Sequence, residues 1–158
     1  MKAYLAVTVA CLSLQGVSAA EARPHQSTTQ QRAAIKGVLK SYERALNASD
    51  VEGVARVYAD DAVVLAPGAP SAVGINAVRT AYTGIFQTID IDLTFKIAEL
   101  KIVSPNWAFL RSTSNGVVTI LANGAQIPSS NQELFVLHRS QGRWKLARYA
   151  FSSALPSA

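Results

Sequence analysis

Residues 133–149 read ELFVLHRSQGRWKLARY, and this stretch decides the fold. A period of two runs through the side chains on both sides of Gln141-Gly142, a pair that is typical of a tight turn. The pattern predicts two antiparallel strands, over residues 125–139 and 143–152, joined by a short hairpin. The C-terminal part of the chain is therefore expected to be a β-sheet.

Two further strands are predicted before this hairpin. Residues 91–103 and 107–121 keep the period of two, and Ser104-Pro105-Asn106 separates them. Asn123-Gly124 is a hairpin signal between the second and third strands. Because strands of ten residues or more bend strongly, we expect a curved sheet.

The N-terminal half has the period of a helix. Apolar residues recur there at steps of three and four, and Asp50 is placed to cap a helix start. The pattern predicts helices over residues 27–48, 51–58 and 74–88, with a short strand over residues 62–65. Helices followed by antiparallel hairpins indicate an α+β fold, with the helices on one face of the sheet. A bent sheet folded over helices leaves a pocket of the kind that binds small ligands.

The composition indicates one globular domain. The chain has 158 residues, of which 49% are apolar and 16% are charged. Its formal net charge is +5, but the basic residues are scattered rather than clustered with aromatic ones. We therefore expect no nucleic-acid binding.

Residues 1–20 have the build of a secretory signal peptide. Lys2 gives a positive start, an apolar run follows, and small residues around Ala20 and Ala22 offer cleavage sites. The apolar run is too short to span a membrane. We expect cleavage after residue 20 or 22, a flexible lead-in over residues 21–27, a domain over residues 28–155, and a secreted or periplasmic protein with no stable membrane anchor after cleavage.

Cleavage would also remove Cys11, the only cysteine. The two histidines of the chain, His25 and His138, are not placed to form a metal site. The sequence therefore predicts no metal site and no cofactor.

Three stretches together carry a family resemblance. They are residues 50–63 (DVEGVARVYADDAV), residues 74–79 (GINAVR) and residues 133–149. In this order and spacing they resemble the nuclear transport factor 2-like superfamily, and most closely its small bacterial SnoaL-like proteins. The association domain of calcium/calmodulin-dependent kinase is a more distant relative by the same motifs. The resemblance covers about residues 28–155.

The resemblance implies a cone-shaped α+β fold and a homodimer formed through the sheet. The superfamily includes ketosteroid isomerases, dehydratases, epoxide hydrolases, polyketide cyclases and non-catalytic assembly domains. The fold alone therefore leaves the chemistry open.

Three charged residues on the predicted strands are candidate site residues. By the resemblance to the kinase association domain, Arg111 and Arg148 are expected to face the pocket, where a guanidinium would bind an acidic or carbonyl oxygen. Arg148 would share a face with Trp144 by alternation. Glu133 is a candidate general base, or alternatively an ion-pair partner of Arg111.

The remaining candidates are aromatic or amide side chains. Tyr42 and Tyr58 lie on helices over the pocket, and their hydroxyls are candidate hydrogen-bond donors to a ligand. Phe109, Phe135 and Trp144 are candidate apolar lining residues. Asn47 begins an Asn-X-Ser sequon, which matters if the host glycosylates exported proteins.

Three hypotheses about function follow from these residues. The first is an exported homodimer that binds a small apolar ligand through Arg111. The second is an isomerase, cyclase or dehydratase that uses Glu133 as its base. The third is a non-catalytic assembly module.

Overall fold

A computed structural model describes residues 27–154 and confirms the predicted α+β architecture. The signal peptide predicted for residues 1–20 and nearly all of the lead-in lie outside the described residues. The elements, in chain order, are α1 (Thr28–Asn47), α2 (Val51–Val57), β1 (Tyr58–Leu65), β2 (Ala72–Val73), α3 (Ile75–Phe86), β3 (Ile89–Ser104), β4 (Trp107–Ile120), β5 (Gln126–Ser140) and β6 (Arg143–Ser153).

Side-chain caps fix the starts of the first two helices. Ser27 forms a capping box with Gln30, in which each side chain binds the backbone N–H of the other residue. Asp50 accepts a hydrogen bond from the backbone N–H of Gly53 at 2.8 Å. The Asp50 cap fixes the point where the chain passes from α1 into α2.

The six strands form one mixed, curved and unclosed sheet. Its order is β2-β1-β6-β5-β4-β3, with β3 to β6 antiparallel to their sequence neighbours and β1 parallel to β6. The first strand begins at Tyr58, four residues earlier than the sequence pattern predicts, and the two-residue β2 was not predicted. Gly116 lies where β4 approaches β3 closely, and a Cβ there would collide with the carbonyl oxygen of Asp92.

Helix α1 covers the free edge of β3. Asn47 makes two hydrogen bonds to Leu93, donating to its carbonyl at 2.8 Å and accepting from its N–H at 3.1 Å. Further contacts of the same kind join Glu43 to the N–H of Phe95 and Arg32 to the carbonyl of Leu100. The edge groups of this strand are therefore satisfied by helix side chains, which limits pairing with another chain.

The core lies between the three helices and the concave face of the sheet. Apolar residues from α1, α2 and α3 meet alternate residues of the strands, among them Ile35, Val54, Val78, Leu110 and Leu137. Within residues 27–154, none of the helices is long and apolar enough to cross a membrane.

Candidate functional site

A cavity of about 500 Å³ lies between the helices and the concave face of the sheet. Its volume falls in the range typical of small-molecule sites. Most of its wall is apolar and comes from both halves of the chain, including Leu46, Val64, Ile85, Ile91 and Phe95. Among the described residues, none that lines the cavity carries a charged side chain. Such a wall favours an uncharged, mainly apolar ligand.

A cluster of three tyrosine hydroxyls lies beside this cavity. The hydroxyl of Tyr82, on α3, is 2.6 Å from that of Tyr42 on α1 and 3.1 Å from that of Tyr58 at the start of β1. Tyr42 and Tyr82 line the cavity, whereas Tyr58 does not. The rings meet at centroid separations of 6.1 to 6.3 Å. The three phenols are hereafter called the tyrosine cluster.

The tyrosine cluster can present a hydroxyl proton to the cavity. Its three hydroxyls carry three protons and share two short hydrogen bonds, and Tyr42 also contacts the hydroxyl of Tyr149, which lines the cavity as well. Burial raises the pKa of Tyr42, Tyr58 and Tyr82, so all three stay neutral and keep their protons at neutral pH. Because a hydroxyl hydrogen can rotate about its C–O bond, a phenol at the cavity wall, that of Tyr42 or Tyr82, can turn its proton toward an acceptor in the cavity.

A row of polar side chains crosses the same concave face on β4 and β5. Glu133 is only 5% exposed and accepts a hydrogen bond from Ser112 at 2.6 Å. Ser114 donates to the same carboxylate and accepts from the side-chain amide of Asn131 at 3.2 Å. That amide also donates to Ser129 at 3.2 Å. Ser114, Ser129 and Asn131 line the cavity, whereas Glu133 does not. Its carboxylate is therefore next to the cavity rather than in its wall.

The surroundings of Glu133 disfavour the charged form of its carboxyl group. Burial raises the pKa of its carboxyl group, and the hydrogen bonds from Ser112 and Ser114 offset only part of that effect. One carboxylate oxygen is buried without a hydrogen-bond partner in the described part of the chain. The expected ion pair with Arg111 is absent, since Glu133 is bonded to serines instead.

The expectation that Arg111 points into the cavity is wrong. Its neighbours Leu110 and Ser112 are buried on the concave face, so Arg111 lies on the opposite, outer face of β4. There its guanidinium is 58% exposed and pairs with Glu99 at 3.2 Å. It borders an open depression of about 450 Å³ with Leu134, but it does not line the interior cavity.

The expectation for Arg148 is also wrong, because β6 contains a bulge. The register with β5 shifts between Leu146 and Arg148, leaving Ala147 as an extra residue. The shift moves Arg148 to the outer face and Tyr149 to the inner one. Arg148 donates to the carbonyl oxygens of Asp61, at 3.1 Å, and Ala147, at 2.6 Å.

The predicted aromatic residues divide into two groups. Phe135 and Trp144 are buried in the core but do not line the cavity, and Phe135 stacks on Tyr149 at 4.3 Å. Phe109 lies on the outer face, because its neighbours Ala108 and Leu110 face the core. Its expected position in the pocket lining is therefore wrong.

The side chain of Asn47 has a structural role in the folded chain. The nitrogen to which a glycan would be attached donates to the carbonyl of Leu93. Glycosylation of the sequon stays a prediction.

Sequence reasoning missed Tyr82, Tyr149, Ser114 and Asn131. Tyr82 lies on the apolar stripe of α3, and its position relative to Tyr42 and Tyr58 was the available signal. The bulge at Ala147 hid Tyr149. Nothing in the local pattern distinguishes Ser114 from other strand serines. Within residues 27–154, no group of three or more His, Cys, Asp or Glu side chains is placed to hold a metal ion.

Comparisons with known proteins agree with this architecture. Residues 38–147 match the SnoaL-like domain. The crystal structure of a ketosteroid isomerase-like protein from Erwinia carotovora atroseptica is 38% identical in sequence, with a TM-score of 0.75, over 78% of this chain and 96% of that one. No curated protein matches the sequence significantly.

Two more distant structures share the fold. A conserved protein from Planctomyces limnophilus is 25% identical with a TM-score of 0.70, over 78% of this chain and 97% of that one. The LinA-type3 hexachlorocyclohexane dehydrochlorinase from Novosphingobium barchaimii is 14% identical with a TM-score of 0.71, over 79% and 87%. At that identity the likeness concerns the fold alone.

Proposed function

Because this chain belongs to the SnoaL-like domain family, we propose that it is an exported homodimer whose interior cavity binds a small, uncharged, apolar ligand with a carbonyl group. The observation that carries this proposal is that two hydroxyls of the tyrosine cluster, each with a proton that it can donate, lie at the wall of an apolar cavity. A carbonyl oxygen is an acceptor that such a proton would bind. The apolar wall would supply most of the binding free energy.

This ligand differs from the one that the sequence predicts. The sequence hypothesis allows an acidic ligand because it places Arg111 in the pocket. With Arg111 and Arg148 on the outer face, none of the described residues that line the cavity is a cation that would offset the desolvation of a carboxylate. A carbonyl needs only a hydrogen-bond donor, which the tyrosine cluster offers.

The homodimer proposal rests on the outer face of the sheet. Trp107, Phe109, Leu134 and Val136 lie together there by register, and Leu134 remains 44% exposed. Exposed apolar side chains on a sheet face favour an interface. We expect analytical ultracentrifugation to show a dimer that Leu134→Glu dissociates. A wild-type monomer at micromolar concentration would contradict this part of the proposal.

The export proposal rests on the sequence of residues 1–20. N-terminal sequencing of the protein from its native compartment tests it, with a new N-terminus at residue 21 or 23 expected. A chain that still begins at Met1 would contradict it.

Binding in the cavity is tested with a neutral fluorescent probe, N-phenyl-1-naphthylamine, which brightens in apolar surroundings. Ala81→Phe places a ring in the cavity, whereas Thr83→Phe adds the same ring on the exposed side of α3. We expect the first substitution to abolish probe binding and the second to preserve it. Equal binding by both variants would place the probe elsewhere and contradict the proposal.

The second candidate function is an isomerase or dehydratase with Glu133 as its base. The observation in its favour is the buried carboxylate with a raised pKa and an oxygen without a partner in the described residues. Proton abstraction next to a carbonyl is measurable as hydrogen–deuterium exchange at the α carbon of 1-tetralone, a bicyclic ketone. Exchange that is fast with the wild type and lost with Glu133→Gln would favour this function. The assembly-module hypothesis expects a filled interior, and the cavity counts against it.

A further inference from the structure

Helix α1 carries all of its basic residues on one side. Arg32, Lys36, Lys40 and Arg44 follow one another at steps of four residues, and each of them is exposed. Residues four apart on a helix are neighbours on its surface, about 6 Å apart along the axis, so these cations form a row about 18 Å long. The four residues are hereafter called the basic stripe.

The charge of the basic stripe is not neutralised within the part of the chain that the structure describes. None of its side chains forms an ion pair with a residue between 27 and 154. Glu43 is the one acidic residue of α1, and its carboxylate accepts a hydrogen bond from the backbone N–H of Phe95 on β3. Arg32 donates to the carbonyl of Leu100 and keeps its charge. Because like charges at this spacing repel one another, a negatively charged partner would relieve that repulsion.

The exposed side of α1 lacks the groups that most macromolecular partners need. Its aromatic residue, Tyr42, is buried, so α1 offers no ring on which a nucleic-acid base could stack. No large apolar side chain of α1 is exposed, whereas specific protein interfaces depend on such anchors. The basic stripe therefore favours a partner that binds through charge alone.

Small side chains lie beside the basic stripe. Ala33, Gly37 and Ser41 follow the same four-residue steps, one position further along the chain. The space outside Gly37 is open, since a Cβ at this position would meet no other atom within 4 Å. Side chains this short do not hold a flat surface away from the helix, so all the cations of the basic stripe can reach such a surface together.

We propose that the basic stripe binds the anionic surface of a lipid bilayer, with α1 lying along the headgroups. A bilayer presents many mobile negative charges in one plane, which suits a row of cations that has no apolar anchor. Such binding is reversible and salt-dependent, so it differs from a membrane anchor. The homodimer proposed above uses the outer face of the sheet, whereas α1 packs on the concave side, so dimer formation leaves the basic stripe free.

The test is co-sedimentation of the purified protein with vesicles of phosphatidylcholine alone or of phosphatidylcholine and phosphatidylglycerol in equal parts. One cation near an anionic surface corresponds to about a 5-fold gain in affinity, so the whole stripe corresponds to roughly 600-fold. We expect this preference for the anionic vesicles at low ionic strength and its loss at about 1 M salt. An apolar leader that is still attached would bind both kinds of vesicle alike and would not produce the preference.

Two double variants with the same change in net charge locate the effect. Lys36→Gln with Lys40→Gln removes two cations of the basic stripe and keeps good helix formers, and it is expected to lower the affinity for anionic vesicles about 25-fold. Arg79→Gln with Arg143→Gln removes the same charge from α3 and β6. This control pair is expected to change the affinity by no more than about 2-fold, because exposed charges far from the surface are screened.

The outcomes decide between a bilayer and other partners. Equal binding of the wild type to both kinds of vesicle would overturn the proposal. An equal loss of affinity in the two double variants would also overturn it, because net charge rather than the basic stripe would then be responsible. Binding to single-stranded DNA that depends on Lys36 and Lys40, without a preference for anionic vesicles, would assign the stripe to nucleic acid instead.

Discussion

Replacing Tyr82 with phenylalanine removes the hydroxyl at the centre of the tyrosine cluster. That oxygen makes both hydrogen bonds of the cluster, at 2.6 Å to Tyr42 and 3.1 Å to Tyr58. Phenylalanine has nearly the same shape, so the packing of the ring is kept. Tyr82→Phe therefore measures the loss of the hydrogen bonds themselves.

The expected cost follows from counting bonds and unpaired groups. Two net hydrogen bonds contribute about 0.5–1.5 kcal/mol each, and a buried hydroxyl left without a partner adds to the loss. Tyr58, which is 2% exposed, would lose its partner in this way. We expect Tyr82→Phe to lower the free energy of unfolding by about 2–4 kcal/mol. Tyr58→Phe removes only the longer bond and leaves Tyr82 paired with Tyr42, so about 0.5–1.5 kcal/mol is expected.

Urea denaturation followed by circular dichroism measures both values and that of the double variant. Because Tyr58→Phe removes the group that Tyr82→Phe orphans, the double variant is expected to lose less stability than the sum of the single losses. Equal costs for the two single variants, or strict additivity in the double variant, would refute the hydrogen-bond network as described.

Three further predictions concern residues outside the tyrosine cluster. Because the pKa of Glu133 is raised in the folded state, its contribution to stability is full below the ordinary glutamate pKa and falls as pH rises through the folded value. Urea titrations between about pH 4 and 7 should show this dependence flattened in Glu133→Gln, and an unchanged slope would contradict it. Arg111→Ala loses only an exposed ion pair with Glu99, so we expect a stability change within about 1 kcal/mol and an unchanged affinity for 1-tetralone. A tenfold loss of affinity would show instead that the guanidinium takes part in ligand binding. Asn47→Ala should speed hydrogen exchange at the amide of Leu93 and lower the free energy of unfolding by about 1–3 kcal/mol. Unchanged exchange would show that the two hydrogen bonds between Asn47 and Leu93 contribute nothing.

The α+β architecture and most element boundaries could be predicted from the sequence because they depend on local patterns. The period of two over residues 107–121 and the turn at Gln141-Gly142 correspond to strands and a hairpin in the structure. The parallel pairing of β1 with β6 could not be predicted in this way. It depends on which edge of the sheet remains free once the hairpins have formed, and no local pattern encodes that.

The orientation of the charged candidates was the weakest part of the sequence prediction. The resemblance places Arg111 in the pocket, whereas in the structure its buried neighbour Ser112 takes the inward position on β4. The resemblance also places Arg148 there, on the face that alternation shares with Trp144, and a single bulged residue reverses that alternation. Tyr42 lies at the cavity wall, as the apolar face of α1 indicates, since a helix face is fixed by several apolar residues rather than by one register. Tyr58, by contrast, begins β1 and does not line the cavity.

The central claim is that a ligand carbonyl in the interior cavity accepts a hydrogen bond from the tyrosine cluster. Difference infrared spectroscopy of 1-tetralone labelled with ¹³C at its carbonyl measures this contact directly, because a hydrogen bond lowers the carbonyl stretching frequency. We expect the band of the ligand bound to wild-type protein to lie below its position in an apolar solvent and to shift back upward in Tyr82→Phe. A bound ligand whose carbonyl band stays at the apolar-solvent position in the wild type would contradict the account.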